Sequence, residues 1–487
     1  MNRTLPILSF VLSLCLLMGL LQAQPQQAFE ASWKAGMLGV NQNPASLVST
    51  PYQGGFMLGS LNLSASNNLF ETNNVLQFSP LALGEGLIGP LTQLPFLTGL
   101  TQADFFANDA ENWSAIGENQ IQAVGFYVQS SNQDRVERGW QKSVFSFRLE
   151  RNERYEVSGI PAELAKGYVR GLEEMNGVNE QADFFEVKVR EFDALAWNYG
   201  VSLGKGKNRL NIVLGGKLLS ASSFMDFRAY NSSFSFNGGK QVTLQADSFV
   251  YAYNPSFASA FAPASQRRFS NNEFSFGLLG ELGVIYQVKN ISQEPVWEVG
   301  LAVRDVGAIQ YWNLRNTSFV VPPQTRSFEP VTTLQGADLL DTGLSNIAQS
   351  RETGSEGVTE ALPLRVTAHL KLRLTNSSTS DAGWNVQLRG DFRKDESNPF
   401  WESFLRGTLS YESKRLSLFF PVSSTLQFPS SDPIEWTPRA GVYLSIGDVI
   451  VVGSNDILTN VYHAATRRGV AATHAFAGLR IPINSKI

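Results

Sequence analysis

Cysteine is all but missing from this chain: Cys15 is the single one among 487 residues. A disulfide framework and a cysteine-built zinc site are thereby excluded. Histidine is nearly as scarce, and His369, His463 and His474 are too scattered to predict a compact metal cluster. Charge is thin as well. Asp, Glu, Lys and Arg make up 17% of the sequence, against about 25% in an ordinary globular domain. The net charge of −4 lacks the basic surplus that a nucleic-acid partner asks for. Beyond the N-terminus, no apolar run reaches the roughly 18 residues of a membrane-crossing helix, so a helical membrane bundle is excluded too.

What is present is apolar and aromatic: 43% hydrophobic residues, with 33 Phe and 41 Gly. The first residues have the form of an export signal. Arg3 gives a positive start, Leu5 to Leu21 is almost wholly apolar, and Leu21-Gln22-Ala23 ends on a small residue. This predicts a cleaved secretory signal over residues 1–23.

From residue 51 onward the recurring pattern is alternation with period two. Leu362, Leu364, Val366, Ala368, Leu370, Leu372 and Leu374 occupy one face; Arg365, His369, Lys371 and Arg373 occupy the other. Trp384, Val386, Leu388 and Phe392 likewise oppose Asn385, Gln387, Arg389, Asp391 and Arg393. Similar runs cover 53–66, 121–130, 142–150, 186–204, 210–218, 222–236, 240–253, 276–289, 297–303, 308–320, 400–412, 414–428, 436–447 and 472–483. Several are roughly 10 to 13 residues long, twice the usual globular strand. About 9 to 11 tilted residues cross a bilayer, and a closed barrel leaves no unpaired edge in lipid. The expected fold is therefore all-β: a transmembrane antiparallel β-barrel of about 14 to 16 strands. Trp297, Tyr311, Trp312, Trp384, Trp401, Tyr411, Trp436 and Tyr443 stand near strand ends and are expected to form its aromatic girdle. Facing inward, Arg365, His369, Lys371, Arg373, Asn385, Gln387, Arg389, Asp391 and Arg393 are expected to line the lumen. They would either pair and fill it or line a wet channel and set its selectivity.

Three stretches do not alternate. Residues 24–50 precede the first strand and contain Asn43-Pro44-Ala45. Residues 80–118 are long, irregular and rich in Leu and Gly, and so long a connection usually carries function. Residues 161–176 predict a short helical insert, with Pro161 in its first turn and Gly177 beyond its end. Leu164, Tyr168 and Leu172 share its apolar face, which either packs on the barrel mouth or closes it as a lid.

An Asn-Pro-Ala segment ahead of an exported, many-stranded barrel resembles the FadL type, the long-chain fatty-acid transporters. It looks closer still to uncharacterised barrels of Bacteroidota related to the PorV-like proteins. The runs Ala252-Tyr253-Asn254-Pro255-Ser256-Phe257 and Val303-Arg304-Asp305-Val306-Gly307 add to the likeness. The FadL resemblance implies that residues 24–50 form a hatch in the lumen, with Asn43, Pro44 and Ala45 within it, and that 51–487 form the barrel. It implies an outer-membrane location and passive binding or transport of a hydrophobic small molecule. The PorV-like resemblance implies instead a non-conducting barrel that serves a secretion or envelope partner.

Enzyme chemistry finds little support. Gly200-Val201-Ser202-Leu203-Gly204 fits G-x-S-x-G, but a nucleophile elbow needs a strand, a sharp turn and a helix, and a second strand is expected here. Gly204-Lys205-Gly206-Lys207 lacks phosphate-loop spacing. The reading is a non-enzymatic barrel with no catalytic residue, metal or cofactor, surrounded by outer-membrane lipid.

Overall fold

The structure is a computed structural model. It describes residues 29, 32–67, 70–72, 105–107, 111–130, 140–163, 177–204, 207–237, 241–253, 275–290, 295–312, 315–327, 350–354, 357–375, 382–394, 403–426, 438–465 and 472–483.

Fourteen antiparallel strands close into a ring. They are β1 (Gly54–Asn67), β2 (Asn112–Ser130), β3 (Trp140–Pro161), β4 (Asn179–Leu203), β5 (Asn208–Asn237), β6 (Ser275–Lys289) and β7 (Pro295–Tyr311). Then follow β8 (Leu364–Arg373), β9 (Gly383–Lys394), β10 (Ser403–Glu412), β11 (Leu416–Leu426), β12 (Val442–Ile446), β13 (Ile450–Ser454) and β14 (Ala472–Ile483). Each pairs with the next in sequence, and β14 returns to β1 through Gly54↔Ile483.

The residue pattern of a soluble protein is inverted. Along β6, Phe276, Leu278, Leu282 and Tyr286 are exposed, whereas Glu281 and Gln287 are buried. Leu214 is 64% exposed and Arg148 only 1%. Exposed apolar area costs about 25 cal/mol per Å² in water. A belt of such residues on every side is favourable only against lipid. Tyr286 packs on Trp297 and Trp384 on Tyr411, with centroids 5.5 and 5.4 Å apart, as an interfacial girdle does. Tyr311 and Tyr443, expected in that girdle, are instead fully buried. Both sit on inward parity, where Tyr443 reaches Asn455 through its hydroxyl. Trp401 and Trp436 lie outside the described residues.

The two ends differ. At one end, three-residue turns join β10 to β11 and β12 to β13. The turn Ile446–Val449 is closed by Val449 N–H to Ile446 O, and both Gly447 and Asp448 take positive φ, the conformation that suits a tight hairpin. At the other end the connections are long. Short turns face the periplasm in outer-membrane barrels.

Bulges set where inward charges point. β7 slips between Val303 and Val306, with Asp305 at φ 61° and Gly307 at φ 155°. That turns the Asp305 carboxylate inward, as a bulge re-aims a side chain. A second slip on β5, where Ser222 is passed over between Ala221 and Ser223, switches its parity. Residues 210–218 and 222–236, expected as two strands, are therefore one strand of 30 residues. The run 308–320 is split the other way: β7 ends at Tyr311 and a separate strand covers Arg315–Ser327.

Beyond the ring, strands Gln241–Tyr253, Arg315–Ser327 and Ser350–Gly354 extend the upper part of β5. Pro161 ends β3 rather than opening a helix, and only Ala162 and Glu163 of the expected insert are described as helical. Leu164, Tyr168 and Leu172 lie outside the described residues, as do residues 1–28 and 80–104. The described residues include a single helical turn α1 (Ser46–Ser49) and a helix α2 (Ile457–Ala465), which stands between β13 and β14.

Candidate functional site

The lumen is occupied by the segment that precedes β1. A 3-10 turn at Gly36–Gly39 and α1 make it compact. The Asn43 side-chain oxygen accepts Ala45 N–H at 2.9 Å, and Ser46 Oγ donates back to Gly36 O at 3.1 Å. Gly36 has φ +54°, and a Cβ there would press on the Tyr127 hydroxyl at 3.2 Å.

Contacts to the wall come from all round the ring. Asn43 Nδ2 donates to the carbonyls of Val284 on β6 and Leu301 on β7, both at 3.1 Å. Asn41 and Gln122 of β2 join at 3.2 Å, and Gln129 donates to Leu47 O at 2.6 Å. Trp33 Nε1 donates to Asn385 on β9 at 3.0 Å and Ser32 to Glu412 on β10 at 2.6 Å. Arg480 of β14 donates to Ala35 O at 2.8 Å and covers the Phe29 ring at 4.7 Å. Asp448 accepts from Lys34 at 3.0 Å and from Tyr52 at 2.5 Å. Burial, reinforced by the Asp448 carboxylate, pushes the Tyr52 phenol far above its ordinary pKa. Pro44 and Ala45 are buried beside Asn43.

Around this segment the inward side chains form an ion-pair network. Arg148 binds Glu150 and Glu281. Lys217 lies 3.0 Å from Asp305, which also meets Arg365 at 3.5 Å. Glu118 gathers Arg154 at 2.8 Å, Arg393 at 2.6 Å and Arg365 at 3.6 Å. Arg190 joins Glu156 and Glu360. His369 Nε2 is 3.0 Å from Glu298, and Lys371 lies 3.8 Å from Glu412 and over the Trp33 ring. Arg389 binds Asp391 at 2.5 Å. A lone charge in so dry a place costs several kcal/mol, so the carboxylates account for the cations. All the β8 and β9 residues expected at the lumen stand on inward parity: Arg365, His369, Lys371, Arg373, Asn385, Gln387, Arg389, Asp391 and Arg393. All but Arg365 and Arg373 are buried.

Two cavities flank the N-terminal segment. One of about 90 Å³ lies between Asn41 and the long-connection end, lined by Glu118, Arg154, Asp305, Arg365 and Arg393. The other, about 850 Å³, lies at the short-turn end between Lys34, Tyr52, Lys142, Arg209, Lys289 and Asp448. On the wall, an apolar cleft of about 540 Å³ runs past Ile121, Leu149, Leu195, Leu218 and Phe276.

The wall residues that clasp the segment, Gln129, Asp448 and Arg480, escape sequence reasoning, as does Tyr52 at the segment's own end. Only Gly447-Asp448, a turn-forming pair, offered a signal. A second buried group was missed beside α2. There His474 Nδ1 accepts Asn455 N–H at 3.1 Å and its Nε2 meets Asn62 at 2.8 Å, while Asp456 accepts His474 N–H and Ser454 Oγ. Ser202 faces inward on β4, with β5 rather than a helix after the turn, so the elbow geometry is not formed. Among the described residues, no three His, Cys, Asp or Glu side chains are grouped to hold a metal.

A closed antiparallel ring, an apolar exterior and a charged interior define the class: a β-barrel of the outer-membrane type. Within that class the chain belongs to a family of unknown function, DUF5723, whose model matches residues 44–427. No curated protein sequence matches it. Among solved structures it is similar to the translocator domain of the autotransporter NalP from Neisseria meningitidis, at 9% identity. That match covers 92% of this chain and 96% of the other, with a TM-score of 0.30. It is also similar to the Pseudomonas putida toluene transporter TodX, at 8% identity over 95% and 97% of the two chains, with a TM-score of 0.36. A FadL homologue of Pseudomonas aeruginosa matches at 9% identity over 95% and 98%, with a TM-score of 0.35.

Proposed function

We propose that the chain is exported by a signal cleaved after Ala23, inserts into the bacterial outer membrane, and there binds and passively passes a hydrophobic small molecule. Residues 24–50 act as the hatch, with Asn43, Pro44 and Ala45 at its seat. The observation that carries this reading is the way the segment is held. Beside apolar packing of Phe29, Met37 and Leu47 against the wall, its polar grip is a set of separate hydrogen bonds, such as Asn43 to Val284 and Leu301, each worth about 0.5–1.5 kcal/mol. Such a closure can be released without unfolding the barrel. The apolar wall cleft offers a capture surface, and Leu164, Tyr168 and Leu172 would cover the long-connection mouth.

A second reading, a non-conducting platform for a secretion or envelope partner in the PorV-like manner, is favoured by the ion pairs that fill the lumen.

The test is planar-bilayer conductance together with binding of the hydrophobic fluorophore N-phenyl-1-naphthylamine, on the wild type and Asn43→Ala. Passage predicts saturable dye binding in both and conductance events that become more frequent in the variant. Silent bilayers and no dye binding in both proteins would overturn it in favour of the platform.

A further inference from the structure

Cations are spread through the middle of the lumen and gather again at its short-turn end. In the middle, Arg148, Lys217, Arg365 and Arg393 each touch a carboxylate. At the short-turn end, Lys142 of β3, Arg209 of β5 and Lys289 of β6 line one side of the 850 Å³ chamber. The ladder brings them together. Lys142 stands opposite Ser202, which stands opposite Asn211; Arg209 stands opposite Gln287, two residues from Lys289.

The polar groups around them are mostly neutral or already committed. Lys142 donates to the Gln129 amide oxygen at 3.1 Å, and Arg209 to the Asn208 carbonyl at 3.0 Å. Asp448, across the chamber, is held by Lys34 and Tyr52. Glu412 is taken by Ser32 and Asn385, and Glu298 by His369 and Gln287. Asn211, 2% exposed, lines the same chamber, and its Nδ2 meets no acceptor among the described residues. A buried N–H without an acceptor is costly and rare. It stands beside three like charges that repel one another.

We propose that this patch binds a small oxyanion, a carboxylate- or phosphate-bearing solute. Lys142, Arg209 and Lys289 supply the charge, and Asn211 Nδ2 supplies a directed hydrogen bond. The chamber falls within the roughly 300–1,000 Å³ of small-molecule sites. It opens at the short-turn end, so the ligand is a solute of the periplasm. The wall of the ring separates it from lipid, which makes a free anion the occupant rather than a lipid headgroup. The site lies below the N-terminal segment and is complete while that segment is seated. Binding there does not depend on passage, and either reading can fail without the other.

The experiment uses the full chain in phosphatidylcholine nanodiscs, titrated calorimetrically with inorganic phosphate and with citrate at low ionic strength. Saturable binding of at least one probe is expected. It weakens about tenfold or more in Lys142→Met/Lys289→Met and about threefold in Asn211→Ala, and is unchanged in Lys207→Met, an exposed lysine outside the chamber. Heat-modifiable gel migration checks that each variant is folded; should the double variant fail, Lys289→Gln alone carries the comparison. No binding of either probe at millimolar concentration would overturn the proposal. So would equal affinity in all the variants, which would mean diffuse attraction and no site.

Discussion

Gly283 on the barrel wall and Asn43 in the lumen occupy one position between them. A Cβ at Gly283 would collide with the Asn43 side-chain oxygen and come within 2.7 Å of Ala45 N. The neighbours of Gly283 on β6 show the same division of labour, since Leu282 faces out and Ile285 packs in. Gly283→Val is therefore expected to lift the N-terminal segment from its seat and leave the outer face untouched. Asn43→Ala should loosen it more mildly, by about 1–3 kcal/mol for two lost hydrogen bonds. Limited proteolysis of folded protein reads this directly: cleavage within residues 29–50 should be fastest in Gly283→Val and slowest in the wild type. Equal rates would mean that the segment does not depend on this contact.

The barrel was legible in the sequence because lipid imposes one rule on every strand. Leu364 to Arg373 alternates cleanly, and so does Gly383 to Lys394; both lie in the ring as expected. The strand number, 14, falls within the expected range. Reading failed where a bulge reset the parity. The slip at Ser222 made one strand look like two, and the one at Asp305 hid a carboxylate that closes the network. The helix α2 was missed because it is only nine residues long, although Ile457, Leu458, Val461 and Tyr462 recur at helical spacing. The partners of residues 32–53 could not be read at all. Tyr52 and Asp448 are 396 positions apart, and only ring closure brings them together.

Arg148 tests the network. Its side chain is 1% exposed and lies between Glu150 and Glu281. Arg148→Met leaves both carboxylates with Lys217 as the nearby cation, at 3.8 and 3.9 Å, and Glu150 with Gln122 besides. Breaking a buried pair from one side costs about 3–5 kcal/mol. The temperature at which the folded gel band converts to the unfolded one should fall clearly. Glu281→Gln in the same background should restore part of the loss, because it removes one stranded charge. No recovery would mean that Arg148 acts by packing.

Asp456 predicts a pH dependence. It lies between β13 and α2, and burial raises its carboxyl from 3.8 to about 6, against the pull of Arg439 at 3.8 Å and hydrogen bonds from Ser454 and His474 N–H. A folded value above the unfolded one favours the protonated folded state. Its contribution is fully present below the unfolded value and is lost as pH rises through about 6. A shift of this size is worth about 3 kcal/mol. The wild type should thus gain thermal resistance between about pH 7.5 and pH 5. Asp456→Asn keeps the acceptor for Ser454 and His474 but cannot titrate, so its profile over that interval should be flatter. A parallel profile would assign the dependence to another group.

Leu214 and Ser202 separate the outer wall from the inner one. Leu214 is the outward residue of β5 opposite Tyr199 of β4, and it is 64% exposed. In lipid this is a favourable place for an apolar side chain and a poor one for a charge. An arginine on the lipid face costs about 2–4 kcal/mol at the bilayer midplane and about 0–1 near the interfaces. In water the same change would be harmless. Leu214→Arg should therefore lower the yield of heat-modifiable barrel in the outer-membrane fraction, while Ser202→Ala, inside the ring, should leave it unchanged. The pair also tests location. If Leu214→Arg folds as well as the wild type and is recovered in the soluble fraction, the apolar belt does not face lipid. The exposed Phe, Leu and Tyr residues would then have to be covered by protein. A membrane barrel and a soluble assembly predict opposite signs for this one substitution, because arginine is poorly solvated by lipid and well solvated by water.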